Sequence, residues 1–206
     1  MEQGSEAWLL ARAGKVTASR VADLMARTKT GYGASRANYL AELVAERLTG
    51  QPAARFLNDA MRWGTDQESN ARAAYAFAYG VEIEETGLVM HPRIADLGAS
   101  PDGLVGKDGL IEIKCPNTAT HIDTLLSKAV PQKYVLQMQT QMACTGRGWC
   151  DFISYDPRMP AEMQMWVQRV PRDDVLIGEI EAETVKFLGE LAGTIKALRG
   201  QYKDAA

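Results

Sequence analysis

Cysteine and histidine are scarce in this sequence, which holds three of the first and two of the second among 206 residues. The cysteines are widely spaced and odd in number, so we expect free thiols in a reducing compartment and no disulfide framework. His91 and His121 lie far apart in the chain, without the ligand spacing of a zinc site. Disulfide-stabilised secreted folds and zinc chemistry are therefore disfavoured.

Long apolar runs and a strong positive charge are also lacking. No stretch of about 18 apolar residues is present, so we expect no membrane partner. The first six residues are polar and acidic and do not resemble a secretory signal, which favours a cytoplasmic protein. The net charge of −3 is unlike that of a protein that coats DNA, but residues 1–36 carry six basic and three acidic side chains. This imbalance fits either a local phosphate-binding surface or an ordinary solvated face.

The order of apolar periodicities predicts one α/β domain over residues 1–206, with a mixed central sheet flanked by helices. Residues 1–80 are predicted to form a mainly helical N-terminal layer, residues 81–170 the sheet core, and residues 171–206 a C-terminal helix. The predicted helices begin at Ser5, at Thr17 or Ser19, at Ser35, near Asn58, at Pro131 and near Asp173. The predicted strands are Val81–Ile83, Gly87–His91, Leu97–Ser100, Leu110–Cys115, Trp149–Tyr155 and Met163–Val170.

The most informative segment runs from Asp102 to Lys114. Because side chains alternate along a strand, Glu112 and Lys114 share one face of an isoleucine-rich strand, and the isoleucines occupy the other face. A turn around residues 107–109 brings Asp102 back beside Glu112. The segment therefore predicts two carboxylates that converge next to one ammonium group.

That grouping suits the hydrolysis of phosphodiesters. Mg²⁺ prefers oxygen ligands and keeps several waters, so the predicted ligands are Asp102, Glu112 and the backbone carbonyl of Ile113. Two ions would stabilise both the attacking and the leaving oxygen. Lys114 either orients the attacking water or neutralises charge on the phosphate, and the sequence leaves both roles open. On spacing alone, a solvated pair of Glu112 and Lys114 on a surface strand is the alternative.

The same residues resemble the core motif of the PD-(D/E)xK nuclease superfamily. The longer strings ASPDGL at 99–104 and IEIKCP at 111–116 are similar, more specifically, to the family of phage lambda exonuclease and the YqaJ-type viral recombinases. Similar motifs follow in the family's order: EAW at 6–8, RAGKVTAS at 12–19, ESNAR at 68–72, YVLQMQ at 134–139 and YDPRM at 155–159. The resemblance covers most of the chain up to about Val170, and it implies a restriction-endonuclease-like core.

The resemblance also implies roles for individual residues. The two acids and the lysine match the family's metal-binding carboxylates and catalytic lysine, and Glu68 matches a helix carboxylate near the metals. The pocket for the terminal 5′-phosphate is matched by Arg12, Ser19, Ser100 and Gln137. Arginine can bind phosphate oxygens through two parallel hydrogen bonds, and Ser19 near a helix start would add a donor and a favourable dipole.

The activity that the resemblance implies is a 5′-to-3′ exonuclease on double-stranded DNA ends, which releases 5′-mononucleotides and leaves a 3′ single strand. It implies two Mg²⁺ ions as cofactors, for which Mn²⁺ substitutes. It further implies a homotrimeric ring, a phage or prophage origin with recombination in a bacterial host, and a single-strand annealing protein as partner.

Other DNA contacts and other functions are open at this point. Lys15, Arg27 and Lys29 are predicted to contact the DNA backbone, and Met61 to act as an apolar wedge between the strands. An endonuclease of the same superfamily is one alternative function, although an internal cutter needs no pocket for a terminal phosphate. A non-catalytic DNA-binding adaptor is another, although it has no chemical need for all three catalytic residues.

Overall fold

The structure is a computed structural model that describes residues 3–53 and 59–202, with the side chains at positions 60 and 61 outside the description. Its helices are α1 (Glu6–Arg12), α2 (Val21–Met25), α3 (Ala34–Thr49), α4 (Asp59–Tyr79), α5 (Thr118–Ser127), α6 (Gln132–Thr145) and α7 (Asp174–Tyr202). Its strands are β1 (Val16–Thr17), β2 (Arg27–Thr28), β3 (Gly31–Tyr32), β4 (Ile83–Glu84), β5 (Val89–Met90), β6 (Leu97–Ala99), β7 (Gly103–Val105), β8 (Gly109–Lys114), β9 (Trp149–Tyr155) and β10 (Met165–Pro171). Short 3₁₀ helices span Ala18–Arg20 and Ala161–Met163.

The described strands form two sheets and a separate hairpin. The larger sheet has the order β10-β9-β8-β7-β4, in which β8 and β9 run parallel and the other pairs run antiparallel. The smaller sheet has the order β1-β6-β5, with β1 parallel to β6. Strands β2 and β3 pair with each other. The predicted α/β class with a mixed central sheet flanked by helices is therefore confirmed.

Both faces of the larger sheet are covered by helices. On one face, the isoleucines of β8 and β9 pack against Ala71 and Tyr75 of α4. On the other face, Leu110 of β8 and Phe152 of β9 pack against methionines of α6. Burial on both sides makes β8 almost wholly inaccessible, with only its last residue partly exposed. The strand that carries the predicted catalytic residues is thus fixed by packing on both faces.

The C-terminal helix α7 completes the core of the N-terminal layer. Helices α2, α3 and α7 and the smaller sheet share one apolar cluster, in which the rings of Tyr39 and Phe187 stack at 5.5 Å. The buried guanidinium of Arg36 bonds Glu190 of α7 at 3.0 Å. A buried guanidinium needs such a partner, because an unpaired buried charge is strongly destabilising. The first and last quarters of the chain therefore fold together.

Several elements differ from the sequence prediction. The helix expected to begin at Ser35 begins at Ala34, and Gly33 is its N-cap, where an added Cβ would come within 3.1 Å of Ala26. Strand β1 is only two residues long, which is too short to give a periodic signal. Helix α5 follows Asn117, whose side chain accepts a hydrogen bond from the backbone of Thr120, but its threonines weaken the helical pattern. Within the described ranges, no helix is long and apolar enough to cross a bilayer.

Candidate active site

The hairpin of β7 and β8 brings Asp102 beside the isoleucine-rich strand, as the sequence predicts. Asp102 directly precedes β7, and Gly103 pairs with Ile111 across the hairpin. An added Cβ on Gly103 would come within 2.3 Å of Ile83, so only glycine allows this close approach. Oδ2 of Asp102 accepts a hydrogen bond from the backbone N–H of Ile113 at 2.6 Å. This bond fixes the carboxylate of Asp102 against the strand that carries Glu112.

Glu112 is fully buried under α6 and is held by three side chains. Its Oε1 accepts a hydrogen bond from Gln137 at 2.7 Å, and its Oε2 accepts one from Gln141 at 2.5 Å. The ammonium of Lys114 also bonds Oε1. Glu112 and Lys114 share one face of β8, as predicted, but Glu112 lies beneath the helix and only Lys114 reaches solvent, with 29% of its side chain exposed.

Negative charge is concentrated where Asp102 lies beside Glu112. Burial and the charge of Glu112 raise the pKa of Asp102 well above its usual range. Burial lowers the pKa of Lys114, but the charges of Glu112 and Asp102 outweigh burial, so its pKa lies above the usual lysine value. The neighbouring carboxylates therefore favour the charged form of the Lys114 ammonium in this arrangement.

Glu68 lies on α4, close enough for the charges of Lys114 and Glu112 to affect its pKa. Burial raises the pKa of Glu68, while the charge of Arg72 opposes that rise. Arg72 bonds Glu68 at 2.8 Å and also donates to the backbone carbonyl of Asp102 at 3.0 Å. Arg72 thus joins the helix carboxylate to the Pro-Asp-Gly turn. Sequence reasoning missed this residue, although its position four residues after Glu68 on a helix is a signal for such a pair.

The donor chemistry fits a hard divalent cation. Among the residues that the structure describes, no group of three His, Cys, Asp or Glu side chains forms a complete metal site by itself. Mg²⁺ does not require one, because it is held by one or two carboxylates and keeps several waters. Asp102, Glu112 and the carbonyl of Ile113 would hold it, and a cation there would relieve the repulsion that raises the pKa of Asp102.

A second cluster, formed by Trp8, Arg12, Thr17, Ser19 and Ser100, contains three of the four residues predicted to bind the 5′-phosphate. Arg12 donates to the hydroxyls of Thr17 and Ser19, each at 3.3 Å, and its guanidinium lies 3.9 Å from the centre of the Trp8 ring. The indole N–H of Trp8 donates to Ser100 at 3.0 Å. The Trp8 side chain is buried, and its N–H links the arginine that stacks on it to the strand end beside Asp102.

Two details of this cluster differ from expectation. Ser19 lies in a short 3₁₀ helix that leads directly into α2, and not in a regular α-helix, so the favourable dipole expected there stays a prediction. Gln137 donates to Oε1 of Glu112. Its structural place is therefore beside the carboxylates, and a role for it in phosphate binding stays a prediction.

The predicted DNA-backbone contacts have varied surroundings. Arg27 bonds Glu183 at 2.8 Å and stacks on Tyr32, which accounts for its position without DNA. Lys29 is exposed at the tip of the β2–β3 hairpin, and Lys15 lines a small polar cavity next to Arg12. The side chain of Met61 lies outside the described residues, so its role as a wedge stays a prediction.

The chain is similar to a known protein family and to solved structures. The family model of the YqaJ-like viral recombinase domain matches residues 7–148. An alkaline exonuclease from Laribacter hongkongensis, also crystallised with dAMP, is 54% identical over 98% of this chain and 100% of that chain, with a TM-score of 0.92. A phage-related exonuclease from Haemophilus somnus shares the fold at 17% identity, over 89% of this chain and 96% of that chain, with a TM-score of 0.74.

One viral relative is similar over a shorter region. The uncharacterized protein R354 of Acanthamoeba polyphaga mimivirus is 31% identical over 112 residues, which are 47% of this chain and 20% of that protein. The matched region thus spans about a fifth of the length of this curated relative.

Proposed function

The chain belongs to the YqaJ-like viral recombinase family and is a nuclease, and on this premise we propose that it is a Mg²⁺-dependent exonuclease. It digests one strand of double-stranded DNA from the 5′ end towards the 3′ end, releases 5′-mononucleotides and leaves a 3′ single strand. Bound nucleotide in the relative from Laribacter hongkongensis supports this, because dAMP is a deoxynucleoside monophosphate, the class of product expected.

The observation that carries the proposal is the convergence of Asp102, Glu112 and Lys114 at the end of one hairpin. Asp102 and Glu112, with the carbonyl of Ile113, would hold one or two Mg²⁺ ions, and Mn²⁺ would bind the same oxygens. Such ions, when bound, would supply polarisation of the phosphate and a lower pKa of a bound water. Lys114 carries its positive charge at the solvent edge of the site, where it neutralises charge on the scissile phosphate.

The second cluster supports attack at an end of the DNA. Arg12 and the hydroxyls of Ser19 and Ser100 present donors that suit a terminal phosphate. Ser100 is separated from Asp102 by only one residue, so a phosphate held at this cluster leaves the neighbouring phosphodiester close to the carboxylates. An enzyme that positions its substrate by the end cuts the next bond along the strand.

The assembly and partners that we propose rest on the family resemblance. They are a homotrimeric ring that encircles the DNA, a single-strand annealing protein that takes up the 3′ strand, and recombination of phage or prophage DNA in the host cytoplasm. Sedimentation of the purified chain at micromolar concentration tests the ring. A trimer supports it, and a monomer contradicts it.

Digestion of matched linear and covalently closed circular duplexes tests the activity. With Mg²⁺, we expect a 5′-labelled linear duplex to release its label as mononucleotide at once and a 3′-labelled linear duplex to release its label late. We expect no change in the circular duplex. Cleavage of the circle would favour the endonuclease alternative instead. Lys114→Ala serves as the control for contaminating nucleases, and digestion by that variant at the parental rate would contradict the proposed mechanism.

A further inference from the structure

Two buried glutamines of α6, Gln139 and Gln141, have the same chemistry but different surroundings. Both side chains are almost fully inaccessible. Gln139 donates to the carbonyl of Pro171 at 2.8 Å and accepts from the backbone of Asp173 at 2.9 Å, so it fastens α6 to the start of α7. Gln141 instead donates to Oε2 of Glu112 at 2.5 Å. The amide of Gln139 therefore joins α6 to the start of α7, whereas the amide of Gln141 bonds a predicted metal ligand.

We propose that Gln141 is a positioning residue that fixes the carboxylate of Glu112 for binding a divalent metal. The inference rests on the proposed function, because it concerns a ligand of the same site. Lys114 and Gln137 both bond Oε1 of Glu112, whereas the bond recorded for Oε2 comes from Gln141. Without Gln141, the two remaining donors pull the carboxylate from one side, and its plane is free to rotate.

The chemical environment of Gln141 also fixes which end of its amide faces Glu112. The thiol of Cys150 lies 3.9 Å from Oε1 of Gln141, in position to donate to it. Burial raises the pKa of Cys150 well above its usual range, so the thiol keeps its proton. A flipped amide would set two oxygens against each other at Glu112 and would lose the thiol donor. The Nε2 group is therefore held towards the carboxylate.

An amide is a suitable group for this task because it carries no charge. A lysine or arginine at position 141 would compete with a metal ion for the negative charge of Glu112. A glutamine satisfies one oxygen of the buried carboxylate and leaves its charge in place. Groups that orient a metal ligand from behind typically affect metal affinity or activity by about 10–100-fold. We expect an effect at the lower end of that range for one neutral hydrogen bond.

The test compares Gln141→Met with Gln139→Met in the full chain. Methionine keeps the approximate volume of glutamine and removes the amide donor. Isothermal titration calorimetry with Mn²⁺ is expected to give a Kd about tenfold weaker for Gln141→Met. The Mn²⁺ concentration for half-maximal digestion should rise by the same factor, while the KM for DNA ends is unchanged. Gln139→Met should lower the melting temperature but keep the wild-type Kd for Mn²⁺.

Each outcome of this test supports or overturns the inference. Equal Mn²⁺ affinity in Gln141→Met and the wild type overturns it, as does an equal loss of affinity in Gln139→Met. If Gln141→Met does not fold, Gln141→Asn, whose amide is one methylene too short to reach Glu112, replaces it with the same expected Kd. If neither variant folds while Gln139→Met does, Gln141 is required for folding and the inference is overturned. Absence of Mn²⁺ binding by the wild type would instead overturn the proposed metal site itself.

Discussion

Glu112 and Asp151 are carboxylates buried in the neighbouring strands β8 and β9, but they face opposite sides of the sheet. Asp151 faces α4, where Arg169 bonds both of its oxygens, at 2.8 and 2.9 Å, and Tyr75 donates to it at 2.7 Å. Glu112 faces α6, where two glutamine amides and the ammonium of Lys114 hold it. The two carboxylates are equally hidden from water and differently partnered.

We interpret the different partners as a mark of different roles, structural for Asp151 and functional for Glu112. A planar guanidinium that bonds both oxygens of Asp151 neutralises it and leaves no reason for a ligand to bind there. At Glu112 two neutral amides and one ammonium bond the carboxylate, and two more carboxylates, Asp102 and Glu68, lie nearby. Burial of like charges is costly unless something compensates for it. We therefore expect a cation to bind on this side of the sheet.

The largest effect expected is the loss of activity in Glu112→Gln. The substitution keeps the shape of the side chain but removes the charge that holds the metal. Since a bound metal supplies several kcal/mol of transition-state stabilisation, digestion of linear duplex should slow by about 1000-fold or more. A gel assay with 5′-labelled DNA measures the rate, and circular dichroism checks folding. A well-folded variant with a parental rate would place the active site elsewhere.

Asp151→Ala should have the opposite profile, with a loss of stability and little loss of activity per folded molecule. Removal of one partner leaves Tyr75 and Arg169 without their acceptor, although Arg169 is half-exposed and can turn towards solvent. We expect a decrease of about 2–3 kcal/mol in the free energy of unfolding, measured with urea. A large fall in activity at unchanged stability would break the contrast between the two carboxylates.

A smaller effect is expected from Arg12→Ala, and only on one kind of DNA end. Charge-assisted hydrogen bonds to a phosphate are worth about 1.5–3 kcal/mol, so digestion of 5′-phosphorylated ends should slow by about 10- to 150-fold. Ends with a 5′-hydroxyl should be digested at the wild-type rate. Arg20→Ala is the matched control, because Arg20 is bound by Asp23 and Glu42. Equal effects on both kinds of end would remove Arg12 from the phosphate site.

The smallest effect expected is a gain in stability for Asp102→Asn when no metal is present. The pKa of Asp102 is raised on folding, so the folded protein binds this proton more tightly than the unfolded chain. Its stability without metal therefore falls as the pH rises from the usual range of aspartate through the raised folded value. Asparagine does not ionise, and its oxygen still accepts from Ile113. We expect a melting temperature about 2–4 °C higher at neutral pH, the shift that roughly 1 kcal/mol gives in a chain of this size.

Much of the fold follows from local patterns in the sequence. The strand of seven residues that begins at Trp149 and the long helix that ends at Tyr79 are confirmed, because their apolar periods are strong and their ends are marked. Strand β1 was not predicted, because its partner lies far away in the chain. The cap at Gly33 was not predicted, because it depends on how the short β2–β3 hairpin returns the chain to Ala26. Val16 pairs with Leu97, and Gly33 packs on Ala26.

Which residues of the site can be predicted likewise depends on whether their contacts are local or distant in the sequence. The alternation of β8 and the Pro-Asp-Gly turn suffice to predict that Asp102, Glu112 and Lys114 converge. The contributions of Arg72 and of the Trp8 N–H depend on where α4 and α1 pack, which no local pattern encodes. Residues that position the catalytic groups are therefore harder to predict than the catalytic groups themselves.

The most direct test of the account is the anomalous scattering of a crystal soaked in Mn²⁺. We predict a peak bonded to Asp102, Glu112 and the carbonyl of Ile113, and no peak at Asp151. A peak at Asp151, or a protein that digests DNA while Mn²⁺ binds away from Asp102 and Glu112, would contradict it.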